Sequence, residues 1–254
     1  MNIRSVIVIT SCAAISFMAF SNLRFAVGGE QKLKVVIFTG GHDFNRKEFF
    51  EMFDSFGNVE WEESQQPKAN QLWCKQDELK RYDVVVLYDM WQQITDEQKE
   101  FMVRALKDGV VGLVVIHHAI ASYQNWDEYW RIIGARYFLS PGVDPDGKKR
   151  ERCQVAFGVK MNIKIADKEH PITRGMSDFE VIDETYKGYW VSPRVKILLT
   201  TDCPQNEPSI AWTNEYGKAR VVYIQLGHGP EAYRHASYRQ LLKRSLLWAA
   251  KKLE

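Results

Sequence analysis

The sequence predicts an α/β fold with a doubly wound, mostly parallel sheet and a β-rich insertion in its C-terminal half. Three observations predict it: apolar runs of strand length, stretches of helical apolar spacing between them, and turns opened by glycine or small residues after them. Continuous apolar runs are typical of strands that are buried on both faces of a parallel sheet. Their alternation with helices favours right-handed strand–helix–strand units.

The first half of the chain alternates strands and helices. Thr95 precedes a run of acidic residues, and its side chain can cap a helix there. The predicted strands are Lys34–Thr39, Val59–Glu63, Tyr82–Tyr88 and Val110–Ile116. The predicted helices are Asn45–Phe56, Thr95–Gly109 and Asn125–Ile133.

The pattern becomes β-rich after residue 140. Ser140–Arg150 is rich in proline, glycine and aspartate and is predicted as a loop. Ser237–Leu253 is predicted as a closing amphipathic helix. The predicted strands between them are Gln154–Ile165, Phe179–Ile182, Val195–Thr200, Ser209–Thr213 and Arg220–Gln225.

Residues 1–29 are predicted as a secretory signal peptide. The positive start Met1–Arg4 precedes the apolar run Ser5–Phe20, and small and mixed residues follow. The run has about 16 residues, fewer than the roughly 20 that span a bilayer. We expect cleavage and export, to the periplasm or outside the cell, with no stable membrane insertion afterwards. The alternative is a retained N-terminal anchor.

Charge and cysteine content exclude several function classes. The chain has 34 basic and 32 acidic side chains, and the two basic residues of the predicted leader, Arg4 and Arg24, account for the excess. A balanced remainder has no global field for nucleic acid or an anionic membrane surface. The cysteines outside the predicted leader, Cys74, Cys153 and Cys203, allow at most one disulfide, and their spacing matches no zinc knuckle.

Histidines follow the predicted strands in an unusual pattern. His42 follows the first strand, His117 and His118 follow the fourth, and His228 follows the last. The carboxyl ends of parallel strands share one edge of an open α/β sheet, where ligands bind. Because adjacent residues that leave a strand face opposite sides, one of the histidine pair is expected to point into packing.

Acidic residues complete a candidate site at the same edge. Glu184 follows the short strand that ends at Ile182. We predict that His118, Glu184 and His228 act as catalytic acid–base groups or, alternatively, hold a divalent metal such as zinc. His42 and His117 are predicted to contact the substrate.

Aromatic residues crowd the same loops. Flat apolar rings with polar rims suit the faces of sugars, and the alternative is a hydrophobic lid or core. The predicted substrate-binding aromatics are Trp91, Tyr123, Trp126 and Tyr186. The turn Ile116–Ala119 contains no cysteine, serine or threonine. Glutamine hydrolysis through a thioester is therefore unsupported.

Seven short motifs carry a resemblance to ThuA-like (trehalose utilisation) proteins over Lys34–Ala250. They are Val36–His42, Gly112–His118, His170–Gly175, Asp183–Tyr186, Ala211-Trp212, Gly217–Val221 and Leu226–His228. The resemblance implies a ThuA-like domain over residues 33–252, with a flavodoxin-like, class I glutamine amidotransferase-like fold that lacks the amidotransferase cysteine. Many relatives have a small residue before the histidine turn and Asp after Leu-Gly-His, whereas this chain has the His117-His118 pair and Gly229.

The resemblance implies a role in sugar utilisation, often beside oxidoreductases and keto-sugar-processing proteins. One hypothesis is an exported hydrolase or lyase that processes an oxidised (keto) sugar or a glycoside. The other is a non-catalytic carbohydrate-binding protein on the same scaffold. Under both hypotheses the binding partner is a small sugar or glycoside and not a nucleic acid. Neither hypothesis specifies the oligomeric state.

Overall fold

The apolar runs of the sequence form the long strands of one nine-stranded sheet in the computed structural model, which describes Met1 and residues 32–254. The predicted signal peptide, residues 1–29, lies outside the described residues apart from Met1. In chain order the strands are β1 (Leu33–Gly40), β2 (Val59–Gln65), β3 (Val84–Asp89), β4 (Gly112–Ile116), β5 (Ala135–Arg136), β6 (Gly142–Val143), β7 (Lys149–Arg150), β8 (Gln154–Ile165), β9 (Phe179–Lys187), β10 (Trp190–Val191), β11 (Lys196–Thr201), β12 (Ser209–Tyr216) and β13 (Ala219–Ile224).

Helices connect the strands of the first half and close the chain. They are α1 (Arg46–Asp54), α2 (Gln71–Cys74), α3 (Gln76–Leu79), α4 (Asp96–Asp108), α5 (Asp127–Ile133), α6 (Pro230–Arg234) and α7 (Ala236–Ala249). A short 3-10 helix, His117–Ala121, follows β4 directly. The short helices α2, α3 and α6 have too few turns to produce a periodic pattern, which is why sequence periodicity does not predict them.

The sheet is mixed, whereas the sequence predicts a mostly parallel one. Its order is β2, β1, β3, β4, β13, β12, β11, β8, β9. The pairings from β2 to β13 are parallel, and those from β13 to β9 are antiparallel. The α/β class is confirmed. The β-rich second half extends this same sheet, because a tight turn at Gly217-Lys218 folds β12 back against β13.

Helices pack against both faces of the sheet. Alternate residues of β4 point to opposite faces, so Leu113 joins one apolar cluster and Val114 the other. The first cluster includes Met102 of α4, and the second includes Phe53 of α1 and Leu241 of α7. Burial of the central strands on both faces explains their continuous apolar composition.

The start of α4 confirms the capping interpretation. Thr95 Oγ1 accepts a hydrogen bond from the backbone N–H of Gln98, and Gln98 Oε1 accepts one from the N–H of Thr95. Such a capping box satisfies two helix-terminal donors, and loss of the cap costs about 1 kcal/mol. Gly109 ends the helix in the left-handed conformation, at φ 71°.

Strand β9 is longer than the sequence predicts, and this places the candidate acids differently. The predicted strand ends at Ile182, yet β9 continues to Lys187, so Glu184 lies inside a strand. A register shift between Ala156 and Val159 of β8 marks an irregularity in the β8–β9 ribbon. Bulges bend a ribbon. The polar side chains of β9 find partners on the loops after β4 and β13, which explains why a polar segment continues as a strand.

Candidate metal centre

Three side chains from distant segments converge at the carboxyl ends of β4 and β13. His117 Nε2 lies 2.7 Å from Glu184 Oε2 and 3.3 Å from His228 Nδ1. His228 Nδ1 lies 3.1 Å from the same carboxylate oxygen. Ligand atoms of a tetrahedral zinc site, with bonds of about 2.0–2.1 Å, lie roughly 3.4 Å apart. The three atoms therefore form a triangle close to the size that a small divalent metal requires.

The hydrogen bonds of His117 fix which ring nitrogen faces this triangle. Its Nδ1 lies 2.6 Å from the carbonyl oxygen of Gln225. A carbonyl oxygen can only accept, so Nδ1 carries the hydrogen and Nε2 of the neutral ring has a lone pair. That lone pair faces the carboxylate of Glu184, which is a second acceptor. A cation between Nε2 and the carboxylate, either a proton or a metal ion, satisfies both acceptors. A metal-binding histidine usually donates its other ring N–H to a carbonyl or carboxylate, as His117 does to Gln225.

The backbone of His117 is left-handed, with φ 54°. A residue with a β-carbon in this region costs about 1–3 kcal/mol, and such residues cluster at functional sites. The residue begins the 3-10 helix immediately after β4. Tyr223 Oη donates to the carbonyl oxygen of His117 over 3.2 Å, which helps to hold the turn. The strained turn aims the imidazole towards Glu184.

Glu184 is the negative charge of the site. Burial alone would raise the pKa of its carboxyl, but the adjacent imidazoles of His117 and His228 outweigh burial and hold that pKa well below its usual range. The hydrogen bond between His228 and Glu184 raises the pKa of His228 against the effect of burial. Tyr186 Oη lies 3.1 Å from Glu184 Oε2 and 2.9 Å from His117 Nε2. Tyr186, predicted as a substrate residue, thus contacts the centre directly.

Asp183 positions the loop that carries His228. Its carboxylate accepts hydrogen bonds from the backbone N–H groups of Gly227, at 2.7 Å, and of His228, at 3.0 Å. Gly227 has φ 124°, and a β-carbon there would lie 2.5 Å from Tyr238 Oη. Gly229 is extended, at φ −156°, so only the first of the two glycines is required by the backbone.

His118 does not join the triangle, which corrects its predicted place beside Glu184 and His228. Its ring is 4% exposed, with Nε2 3.3 Å from the carbonyl oxygen of Tyr88. Within the part of the chain that the structure describes, Nδ1 has no hydrogen-bond partner. Burial and two neighbouring imidazoles hold the pKa of His118 well below its usual value. His117 occupies the position expected of His118, because its left-handed backbone turns the first histidine of the pair to the site.

His42 stacks on His118 at the border of the site. The ring centroids are 4.3 Å apart with an interplanar angle of 18°. The centroid of His42 is 6.4 Å from that of His228. His42 Nδ1 lies 2.6 Å from the carbonyl oxygen of Asp43, so this nitrogen donates. Burial lowers the pKa of His42. The structure thus brings four histidines into one cluster, and their roles stay a prediction.

Phe157 is a residue of this site that sequence reasoning missed. Its side chain is 67% exposed, and its ring centroid is 5.4 Å from that of His228. It lies on β8 just before Gly158, whose φ is 65°. An aromatic residue before a glycine inside a strand is a signal of an irregular strand at which a side chain is redirected.

The other predicted substrate aromatics lie elsewhere. Trp91, Tyr123 and Trp126 line a separate cavity of about 470 Å³, between the loop after β3, the start of α4 and the loop before α5. The predicted substrate residues thus divide between two places, with Tyr186, His42 and His117 at the histidine cluster.

Comparisons with known proteins support the fold and indicate a family. The model of the ThuA family, described as trehalose utilisation, matches residues 34–249. A ThuA-like protein from Parabacteroides merdae is 20% identical, with a TM-score of 0.68 over 86% of this chain and 90% of that one. No curated protein matches significantly.

Two solved structures from Salmonella typhimurium correct the prediction of export. Both are described as cytoplasmic proteins. One is 16% identical, with a TM-score of 0.59 over 84% of this chain and 98% of that one. The other is 11% identical, with a TM-score of 0.61 over 85% and 99%. The prediction of export is contradicted by these two descriptions. None of the helices in the described residues has the length and apolar character needed to cross a bilayer.

Proposed function

This chain belongs to the ThuA family, described as trehalose utilisation, and from that premise we propose that it processes an oxidised sugar or a glycoside through a divalent metal held by His117, Glu184 and His228. The observation that carries the proposal is the convergence of three metal-ligating atoms, all within 4.8 Å of one another. The expected partner is a small sugar or glycoside, without nucleic acid.

The donor set fits the metal. Two imidazoles and one carboxylate form the ligand set of many catalytic zinc sites, which keep one position open for water or substrate. A bound metal of this kind polarises a carbonyl group or a water molecule. The hydrogen bond from His117 Nδ1 to Gln225 leaves Nε2 of the neutral ring free to bind a metal. His117 and Glu184 are buried, which protects the site from competing solvent.

The remaining groups of the site supply orientation and protons. Burial raises the pKa of Tyr186 well above its usual value, so its hydroxyl stays protonated and can donate a hydrogen bond to Glu184 or to a substrate oxygen. His228 is the most exposed member of the triangle, and its raised pKa suits proton exchange with a ligand when no metal is bound.

Metal analysis of the purified full-length chain tests the proposal. We expect close to one equivalent of zinc, or of another divalent metal, after loading and desalting, and loss of that metal in His117→Ala, Glu184→Gln and His228→Ala. His170→Ala is the matched control, because His170 is a buried histidine that packs against Trp248 instead. Equal metal content in all four variants and the wild type would refute the metal site.

Turnover distinguishes this enzyme from a second candidate, a non-catalytic carbohydrate-binding protein. The separate cavity lined by tryptophans favours the second candidate, because binding alone needs aromatic faces and polar rims. Incubation of the metal-loaded chain with trehalose and with its keto-oxidised derivative, followed by product analysis, separates the two. Product formation that Glu184→Gln abolishes supports the enzyme, and saturable binding without product supports the binding protein.

A further inference from the structure

The second cavity of the protein has the composition of a sugar site. We refer to it as the tryptophan cavity and define it by Trp91, Trp126, Tyr123, Gln71, Gln93 and Asn125. We propose that this cavity binds an uncharged saccharide, independently of the metal centre. The inference deepens the proposed function, on which it rests for its biological context, because it names the chemical class of the ligand. Its volume of about 470 Å³ lies within the range of small-molecule pockets, roughly 300–1,000 Å³.

The two tryptophans provide flat apolar surfaces with free polar edges. Trp91 and Trp126 are partly buried, and both pack against the apolar cluster beneath them. The ring of Trp126 is further held by Tyr123, with centroids 6.1 Å apart. No residue of 32–254 accepts a hydrogen bond from either indole N–H. A ring face beside an unpaired donor matches a sugar ring, which has C–H groups on its faces and hydroxyls at its edges.

Side-chain amides make up most of the polar lining. Gln71, Gln93 and Asn125 are exposed to the cavity, and their amide groups form no hydrogen bonds with the described residues. Each amide offers two donors and one acceptor oxygen. Hydroxyl groups both donate and accept, so a ligand with many hydroxyls can use both ends of each amide.

The charge of the lining excludes ionic ligands as the preferred class. No carboxylate lines the cavity within the described residues, and Lys99 is its charged member. Lys99 Nζ lies 2.8 Å from Asp96 Oδ1, so its charge is already partnered. A phosphorylated or carboxylated sugar would find a single cation, which already pairs with Asp96, and an amine would find no anion. An uncharged saccharide matches this lining best.

The floor of the cavity is held in a strained conformation. Tyr123 has φ 48°, and the rare non-glycine residues in this region also include His117 of the metal centre. The Tyr123 hydroxyl donates to Asn70 Oδ1 over 2.8 Å, and its backbone N–H donates to the carbonyl oxygen of Trp91 over 3.0 Å. Backbone strain of this kind, about 1–3 kcal/mol, is typical of ligand sites. His117 begins the 3-10 helix His117–Ala121 and Tyr123 follows its end, so this helix connects the metal centre to the cavity.

Binding of uncharged disaccharides to the full-length chain tests this inference. The probes are trehalose, maltose and cellobiose, with glucose 6-phosphate as the charged probe, and the readouts are calorimetry and tryptophan emission. We expect at least one disaccharide to bind, and Trp91→Ala and Trp126→Ala each to weaken it about tenfold, which corresponds to about 1.4 kcal/mol. Trp126→Phe should retain most of the affinity, because the flat face remains.

Trp61→Ala is the matched control. Trp61 stacks on Phe50 with centroids 4.5 Å apart and does not line the cavity, so its loss should leave binding unchanged. Repeating the titration on chelator-treated protein and on Glu184→Gln separates this inference from the metal proposal: unchanged affinity shows that the cavity binds by itself, even if the metal site fails. The inference is overturned if no disaccharide binds, if both tryptophan variants bind like the wild type, if metal removal abolishes binding, or if glucose 6-phosphate binds more tightly.

Discussion

The Nδ1 atom of His117 donates a hydrogen bond to the carbonyl oxygen of Gln225 across 2.6 Å, and this contact joins the ends of β4 and β13. The two strands are parallel neighbours with Ile116 opposite Ile224, so the residues that follow each strand come together. The contact fixes the ring of His117 with Nε2 towards Glu184. The orientation of the candidate ligand thus follows from strand register and from one backbone carbonyl.

Replacing Asp183 with asparagine should disturb the metal centre without removing a ligand. Its carboxylate accepts from the N–H groups of Gly227 and His228, and asparagine offers only one acceptor oxygen. Since groups that orient metal ligands contribute about 10- to 100-fold to affinity, we expect a loss of that size in Asp183→Asn. Metal titration of the purified variant measures it.

Asp202→Asn is the control for this substitution. Asp202 is an exposed acid that pairs with Lys164 at 2.7 Å, and exposed pairs contribute about 0–1 kcal/mol. The Asp202→Asn variant should therefore bind the metal with wild-type affinity. A wild-type affinity in Asp183→Asn would show that His228 is held by other contacts.

Gly227 should tolerate no β-carbon. Its φ of 124° disfavours other residues, and the added carbon would lie 2.5 Å from Tyr238 Oη. We expect Gly227→Ala to lower the free energy of unfolding by about 2–4 kcal/mol through overpacking and backbone strain. Gly229→Ala should have little effect, because its backbone is extended and its β-carbon would have no neighbour closer than 3.5 Å. Chemical denaturation of both variants measures the difference.

Tyr238→Phe tests the cause of that instability. The Tyr238 hydroxyl is buried and has no hydrogen-bond partner in residues 32–254, so its removal alone should cost little. In Gly227→Ala the same change removes the clashing atom and should restore part of the stability, while the backbone strain persists. Additive effects of the two substitutions would contradict the steric explanation.

The sequence predicted the α/β class and the edge of the sheet at which the histidines meet, because apolar runs and the residues that end them are local features. It placed His118 beside Glu184, whereas the structure places His117 there. That placement depends on a left-handed backbone at His117, which long-range contacts with Gln225 and Tyr223 support. Local sequence carries no signal for such contacts.

The extent of β9 could not be predicted for a similar reason. Glu184 and Tyr186 look like loop residues after Ile182, since strand propensity depends on burial and on neighbours. In the folded chain both are buried against His117, and these contacts stabilise a polar strand. The separate position of Trp91 and Trp126 likewise depends on how the loops pack, which sequence spacing does not specify.

Asp89 should make stability depend on pH. Burial raises the pKa of its carboxyl from 3.8 to about 7, and the hydrogen bond from Gln66 only partly opposes this. Between these values the folded state holds a proton that the unfolded state releases, so the free energy of unfolding falls as pH rises through this window. Asp89→Asn does not titrate, and its stability relative to wild type should increase by a few kcal/mol from about pH 5 to about pH 8.

Denaturation curves of both proteins across this range measure the effect of Asp89. Asp202→Asn again serves as the control, since hydrogen bonding to Lys164 lowers the pKa of that exposed carboxyl, and its curve should stay parallel to the wild type between these pH values. A constant difference between Asp89→Asn and the wild type would show that Asp89 is ionised throughout the range.

Phe157 should contribute to sugar affinity at the metal centre without affecting the metal. Its ring is 67% exposed and lies 5.4 Å from the ring of His228, although exposing an aromatic side chain to water is unfavourable. An aromatic face beside the ligands can pack against a sugar ring, with a contribution of about 0.5–1.5 kcal/mol. We expect Phe157→Ala to weaken the metal-dependent binding of trehalose or its keto derivative about 3- to 10-fold, measured as the difference between metal-loaded and chelator-treated protein, with unchanged metal content and melting temperature. Phe157→Trp should retain the affinity.

Ile182→Ala, which removes another exposed apolar side chain of the same ribbon, should leave the sugar affinity unchanged. A fall in melting temperature or metal content in Phe157→Ala would instead assign Phe157 a structural role.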